Sequence, residues 1–183
     1  MAIAKGMTNI EWEIYERARC LQYLLTSVME SVDNMRTSMI GNISKLAEAE
    51  SEGDPEIRHE REQYYLNVFN TSIPDDMEQI FLQSMVTQIY TYIEYILKDI
   101  AQNKKQDKGL SKVMSFYNHI QKEKNKSLGP ITKHIPDWSR FYDMRNDIAH
   151  DGNTTEHLTQ QYIEKTIEEA RAFLMTVETV EKA

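Results

Sequence analysis

An arginine, an amide and a histidine stand close together in the hexapeptide RNDIAH, residues 145–150. In a helix, Asn146 and His150 are four residues apart and share one face, which the long side chain of Arg145 can also reach. A histidine can accept and donate a proton, and an arginine can stabilise charge that develops on a phosphate. These three residue types suffice for cleavage of RNA without a metal ion.

Gly152 predicts that the helix ends shortly after the hexapeptide. His150 would then occupy the last turn, where the negative end of the helix dipole favours the protonated imidazole. The preceding residues, DWSRFYDM, predict an amphipathic helix over 137–149. Its predicted core side carries Trp138, Phe141, Tyr142, Ile148 and Ala149.

The spacing of Arg145 and His150, with a polar residue directly after the arginine, resembles the signature of the HEPN (higher eukaryotes and prokaryotes nucleotide-binding) superfamily. Upstream, SIPDDMEQIFLQSMVTQIYTYIEYILKDI is similar to the HEPN helix with an apolar stripe and an internal glutamate, here Glu94. The two similarities cover roughly residues 72–180. Gly152 stands where HEPN toxins silenced by adenylylation carry a tyrosine, so that form of control is not expected.

The resemblance implies a metal-independent endoribonuclease that cleaves single-stranded RNA through its 2′-OH, as a toxin or antiviral defence effector. Two HEPN motifs meet in one cleft, so it also implies a homodimer with a composite site. Arg145 would stabilise the phosphate, His150 would transfer protons, and Asn146 would hold the histidine or a phosphate oxygen. An antitoxin or inhibitor protein is a further candidate partner, and neither a cofactor nor a metal is expected. The alternative is a non-catalytic HEPN helical dimer that binds nucleotide, RNA or a partner protein.

Glu94 lies beside the apolar stripe of its helix, among Tyr90, Tyr92 and Tyr95. A carboxylate close to a core needs a partner, because an unpaired buried charge is unfavourable. We predict Arg145 as that partner, in a planar two-point contact that would fix its direction. The alternative is that Glu94 is exposed on the polar side of the helix.

The net charge of −8 is distributed unevenly. Residues 98–133 contain nine lysines against three acidic residues, a local balance of +6. Such a segment predicts a track for RNA phosphates. The residues that we assign to RNA binding are Lys104, Lys105, Lys108 and Lys112. The alternative is a solvated lysine-rich surface, since no aromatic or arginine pattern marks a dedicated RNA-binding module.

Composition favours one all-α domain over residues 1–183, because 40% of the residues are hydrophobic and only six are glycine and four proline. The first twenty residues contain six charged side chains and predict neither a signal peptide nor a membrane span. With the single Cys20, this indicates a cytoplasmic protein. The scattered histidines lack zinc-ligand spacing, and no phosphate-binding glycine loop is present.

Periodicity predicts an up-and-down, HEPN-like helical bundle with a long first helix over 8–50. Gly41 is the point at which so long a helix could bend or break. Its seam steps four and three residues and either pairs two chains or lines an intrachain bundle. The seam is Ile14, Ala18, Leu21, Leu25, Val28, Val32, Met35, Met39, Asn42 and Leu46. Further helices are predicted over 56–69, from Pro74 to about 100, and over 110–124, 137–149 and 155–181.

Overall fold

The computed structural model describes residues 7–69, 73–102, 110–123 and 128–182. Within these ranges every regular element is helical, which confirms the predicted all-α class, and no helix is long and apolar enough to cross a membrane. The elements are α1 (Asn9–Glu50), α2 (Pro55–Phe69), α3 (Ile73–Ile100), α4 (Lys112–Glu123), a 3-10 turn (Ile131–Lys133), α5 (Trp138–Asp151) and α6 (Gln160–Lys182).

The observed helices begin and end close to their predicted positions, with two differences. α1 is unbroken at Gly41, because its helical hydrogen bonds continue through that residue. α6 begins at Gln160 and not at Thr155, because the hydroxyl of Thr159 accepts a hydrogen bond from the Tyr162 amide and caps the helix there.

Contacts group the chain into two compact units. One contains Met1–Leu25 and Leu82–Ala183, and the other contains Thr26–Phe81. The first unit holds the hexapeptide and is the one that positions the candidate site. The prediction of a single domain stays a prediction.

Helix α3 is the centre of the first unit. The apolar stripe predicted for this helix is buried, as are neighbouring positions; the buried residues are Leu82, Met85, Val86, Ile89, Tyr90, Tyr92, Ile93, Ile96, Leu97 and Ile100. The Tyr92 hydroxyl donates to the Ile14 carbonyl at 2.8 Å, which links α3 to α1. These positions form one broad face, and Ser84, Gln88, Thr91 and Lys98 on the opposite side are exposed, so α3 is amphipathic.

Helix α6 runs antiparallel to the first part of α1. Thr8 donates a hydrogen bond to Glu178 at 3.1 Å, and the Gln22 amide contacts the Glu168 carboxylate. The two contacts join opposite ends of the pair, which fixes the direction. Residues 8–22 and α6 are therefore an antiparallel pair.

In the second unit, α1 turns into α2 through a tight connection. Gly53 adopts a φ of 90°, in the left-handed region that favours glycine. Asp54 then caps α2, because its carboxylate accepts the Glu56 amide at 2.8 Å. Tyr65 donates to the Glu50 carboxylate at 2.7 Å and so ties α2 back to the end of α1.

The buried face of α1 drifts away from the predicted heptad seam. Early seam residues such as Ile14 and Val32 are buried within the single chain, which confirms intrachain packing for them. Asn42 and Leu46 are exposed, whereas Ile43 is buried in their place. A straight helix falls behind a strict heptad by about 20° per repeat, which over about four repeats approaches one residue.

This drift predicts different effects for two neighbouring substitutions. Ile43→Ala should lower the free energy of unfolding by about 2–4 kcal/mol, because it leaves a cavity at a buried position. Leu46→Ala should change it by less than about 1 kcal/mol, because Leu46 is 43% exposed. Urea unfolding at two protein concentrations measures both. A larger effect for Leu46, growing with concentration, would instead mean that the heptad seam packs against a second chain.

Tyr117 in α4 predicts a loss of stability at alkaline pH. Its ring is fully buried, its hydroxyl donates to the Gly129 carbonyl at 3.0 Å, and burial raises its pKa to about 12. The unfolded chain releases this proton near pH 10, so stability is unaffected below about pH 10 and falls as the pH rises toward 12.

Between about pH 10 and 12 the contribution lost is roughly 2–3 kcal/mol, from the two-unit rise in pKa. Tyr117→Phe should cost about 1 kcal/mol at pH 9, where the hydrogen bond is intact, and lose less stability than the parent at higher pH. Urea unfolding of both proteins at about pH 9 and 11.5 measures the difference. Equal losses in both proteins would contradict the assignment.

Candidate functional site

Helix α5 carries the hexapeptide and ends where the sequence predicts. Gly152 adopts a left-handed φ of 79°, and its amide donates to the Ile148 carbonyl at 3.1 Å. A left-handed glycine closing the last turn is a common helix end. The helix extends to Asp151, two residues beyond the predicted end, so that His150 lies in its last turn.

The packing of α5 differs from the prediction at its carboxyl end. Trp138 and Phe141 are buried as predicted, but Ala149 is exposed, and Met144 is buried instead. Met144 lies three residues after Phe141, on the same face of the helix. The apolar face thus ends about one turn before His150.

Arg145 is a partly exposed cation that pairs with no carboxylate among the described residues. Its guanidinium carbon lies 4.6 Å from the centre of the Tyr90 ring, within the range of a cation–π contact. Nη1 donates to the Asn146 side-chain oxygen at 3.2 Å. Nε is enclosed, and no acceptor among the described residues is within hydrogen-bond distance of it. A charge in this state favours binding of an anion.

The Tyr90 ring beneath Arg145 belongs to a cluster with two other aromatic rings. Tyr90 stacks on Trp138 with ring centres 6.2 Å apart and planes at 19°, and it lies at the same distance from Tyr142. Trp138 and Tyr142 are also stacked, at 6.2 Å. Since Trp138 and Tyr142 are one turn apart on α5, the cluster joins α5 to α3 beside Arg145.

The environment of the Tyr90 hydroxyl keeps it protonated. Burial raises the pKa of Tyr90, while a hydrogen bond with Ser111 and the positive charge of Arg145 act in the opposite direction. Ser111 precedes α4, and its hydroxyl accepts the Met114 amide at 3.2 Å.

The prediction that Arg145 is the partner of Glu94 is wrong. Lys112 pairs with Glu94, with 3.2 Å between Nζ and Oε1, and the carboxylate is 23% exposed. Glu94 and Tyr90 are one turn apart on α3, and the ring takes the place beside Arg145 that the carboxylate was expected to fill. Lys112, predicted to bind RNA, is 58% exposed in this pair.

Asn146 and His150 occupy the same face of α5, as predicted from their spacing. The side-chain oxygen of Asn146 accepts the Arg145 hydrogen bond, so the amide is oriented by the arginine. The His150 ring is exposed. In the parts of the chain that the structure describes, it has no hydrogen-bond partner.

The turn after His150 is held by side-chain contacts that involve both α5 and α6. Arg140 forms an ion pair with Glu156 at 2.7 Å, and its guanidinium lies 5.1 Å from the centre of the Tyr162 ring. Thr154 is buried in this turn, and its hydroxyl accepts the Glu156 amide at 3.3 Å. These contacts hold the connection between α5 and α6 close to both helices.

A row of exposed carboxylates runs beside the hexapeptide. Asp143, Asp147 and Asp151 are four residues apart and lie next to the row of Asn146 and His150. Their negative charge disfavours the approach of a phosphate along that side. An anion would therefore reach Arg145 from the other side.

The remaining predicted residues are not brought to this site by the described structure. Lys104, Lys105 and Lys108 lie outside the described residues. His134 contacts the Leu128 carbonyl at 2.9 Å, and His59 is exposed on α2. Among the described residues no group of three or more histidine, cysteine or carboxylate side chains is arranged to hold a metal ion.

Comparisons of the chain with protein-family models, with curated proteins and with solved structures find no match. Sequence reasoning missed the role of Tyr90. The signal was present: Tyr90 lies one turn from Glu94, and two more aromatic residues lie one turn apart on α5. What the sequence does not reveal is which of the two α3 side chains meets the arginine.

Replacement of Gly152 tests the helix end that carries His150. Gly152→Ala should lower the free energy of unfolding by about 1–2 kcal/mol, because a side chain is strained at a φ of 79° although the space is open. Gly41→Ala is the matched control: it lies within α1, has open space, and should raise stability by about 0.5–1 kcal/mol. Thermal unfolding compares them, and effects of the same sign would contradict this assignment.

Proposed function

We propose that this protein is a metal-independent endoribonuclease that cleaves single-stranded RNA. The observation that carries the proposal is Arg145, a partly enclosed cation with no counter-ion in the described parts of the chain, five residues before an exposed histidine at a helix end. A bound phosphate would supply the missing negative charge. The resemblance of residues 145–150 to the HEPN signature supports the same reading and implies a toxin or antiviral defence effector.

The chemistry follows from the groups present. A base removes the proton from the RNA 2′-OH, the 2′ oxygen attacks phosphorus, the bond from phosphorus to the 5′ oxygen breaks, and an acid protonates that oxygen. The products are a 2′,3′-cyclic phosphate and a 5′-hydroxyl. His150 transfers the protons, Arg145 stabilises the charge on the phosphate, and Asn146 orients the arginine.

One chain offers one histidine in the motif, while the reaction needs both a base and an acid. A homodimer in which two α5 ends meet supplies a second His150 through its symmetry. The exposure of His150 and of the residues around it is compatible with such an interface. An antitoxin or inhibitor that covered this face would silence the enzyme.

Lysines between residues 98 and 133 provide the proposed track for the RNA backbone. Lys112 begins α4, and its pairing with Glu94 fastens the start of that helix beside Arg145. A phosphate one nucleotide from the scissile bond would compete for this exposed lysine. Binding through such contacts falls steeply as the salt concentration rises.

The second candidate function is a non-catalytic helical module that binds nucleotide, RNA or a partner protein. The row formed by Asp143, Asp147 and Asp151 favours it, because these carboxylates repel an RNA backbone and would attract a basic protein surface. The two functions differ in one measurable respect, which is whether RNA is cut.

We expect the purified protein to cleave single-stranded RNA in the presence of chelator, and to leave DNA intact for want of the 2′-OH. His150→Ala and Arg145→Ala should each reduce the rate by at least about a hundredfold, since each removes a group that acts on the transition state. The assay is cleavage of an end-labelled RNA, with mass spectrometry to identify the cyclic phosphate.

His157→Ala is the matched control, because His157 is an exposed histidine in the turn beyond the motif. It should cut like the parent, and circular dichroism should show the same helix content in all variants. Light scattering tests the composite site at the concentration of the assay. No cutting by the parent, or full activity of His150→Ala, would leave the non-catalytic module; cutting by a strict monomer would exclude the composite site.

A further inference from the structure

Tyr90 is held on several sides while it contacts Arg145. It is 4% exposed, its ring stacks on Trp138, and Tyr142 lies against it. A ring that is buried and held by neighbouring rings presents a constant surface to whatever lies over it.

The way in which Arg145 is held leaves its charge available. A carboxylate would have neutralised the guanidinium and occupied its in-plane donors. A contact with an aromatic ring leaves the charge in place and uses none of the N–H donors. Nη1 donates to Asn146, and among the described residues Nη2 makes no hydrogen bond.

We propose that Tyr90 is a positioning residue for Arg145: its ring holds the guanidinium by a cation–π contact and directs the donor Nη2 toward an oxygen of the scissile phosphate. The proposal rests on the proposed function of the site. It assigns to Tyr90 the task for which Glu94 was the expected residue. Because the phosphate gains charge in the transition state, a well-directed donor acts mainly on the chemical step.

The first experiment distinguishes the effect of the Tyr90 ring on the kinetics of RNA cleavage from the effect of its hydroxyl. Tyr90→Phe keeps the ring, and its kcat should stay within about threefold of the parent, since the cation–π contact is retained. Tyr90→Leu removes the ring, and its kcat should fall by about tenfold or more with little change in KM.

Tyr92→Leu is the matched control for the loss of packing. Tyr92 lies on the same helix and is also 4% exposed, but its hydroxyl donates to the Ile14 carbonyl, away from Arg145. This variant should keep the parental kcat once folded. Assays are run well below the unfolding temperature of each variant, which thermal unfolding gives.

A second measurement reports on Arg145 without any need for catalysis. In an 15N-labelled sample, the Nε–H signal of Arg145 is identified by its loss in Arg145→Lys. The ring current of the aromatic side chain at position 90 should shift this signal upfield of the Nε–H signals of the other arginines, both in the parent and in Tyr90→Phe. In Tyr90→Leu it should return to the range of the other arginines.

The outcomes separate this proposal from the proposed function. Parental kcat in Tyr90→Leu overturns the proposal, and so does an equal loss in Tyr90→Phe, which would assign the effect to the Tyr90 hydroxyl. If the parent cuts no RNA, the proposed function fails, and the arginine signal alone decides whether Tyr90 holds Arg145. A signal that keeps its parental position in Tyr90→Leu would then overturn that contact as well.

Discussion

The burial of α3 is the constraint on which the first unit depends. Its buried residues form one broad face, while Ser84, Gln88, Thr91 and Lys98 on the opposite side are exposed, so other helices of the unit must cover that face to exclude water. Once they do, each polar group beside that face of α3 has few possible partners. Tyr92 reaches a backbone carbonyl of α1, Glu94 reaches Lys112 at the start of α4, and Tyr90 meets α5. The packing of α3 thus determines the position of the candidate site.

An arginine on an aromatic ring and an arginine in a buried ion pair differ in what they contribute. A cation–π contact contributes about 0.5–2 kcal/mol, whereas loss of one partner of a buried ion pair is unfavourable by about 3–5 kcal/mol. That larger figure is the effect of leaving one charge unpaired and not the net contribution of a pair, which desolvation of both charges largely offsets, so the observed arrangement is not less stable for lack of the ion pair. It keeps the positive charge of Arg145 available at the surface of α5.

The sequence predicted most of the helices, because each has a regular apolar period and a recognisable end. It failed in α1, where a heptad and a straight helix predict nearly the same buried residues at first and different ones further along. The buried face of α1 reaches Ile43 and not Asn42, because a straight helix lags behind a heptad. In the site, helix geometry placed Asn146 and His150 on one face. It could not decide between Tyr90 and Glu94 as the neighbour of Arg145, since both lie on nearly the same face of α3 and the choice depends on how α5 crosses that helix.

The packing of α5 decreases toward Gly152. The helix starts among packed aromatic rings and ends in an exposed turn whose last carbonyls have few helical partners. Arg145 therefore lies near the packed part of the helix, while His150 lies in the exposed last turn, where helical hydrogen bonds open most readily. A ligand can be bound by Arg145 before His150 is in place. The entropy lost when the last turn becomes ordered then falls on a later step, and any partner that immobilises this turn beforehand would alter the rate without touching the arginine.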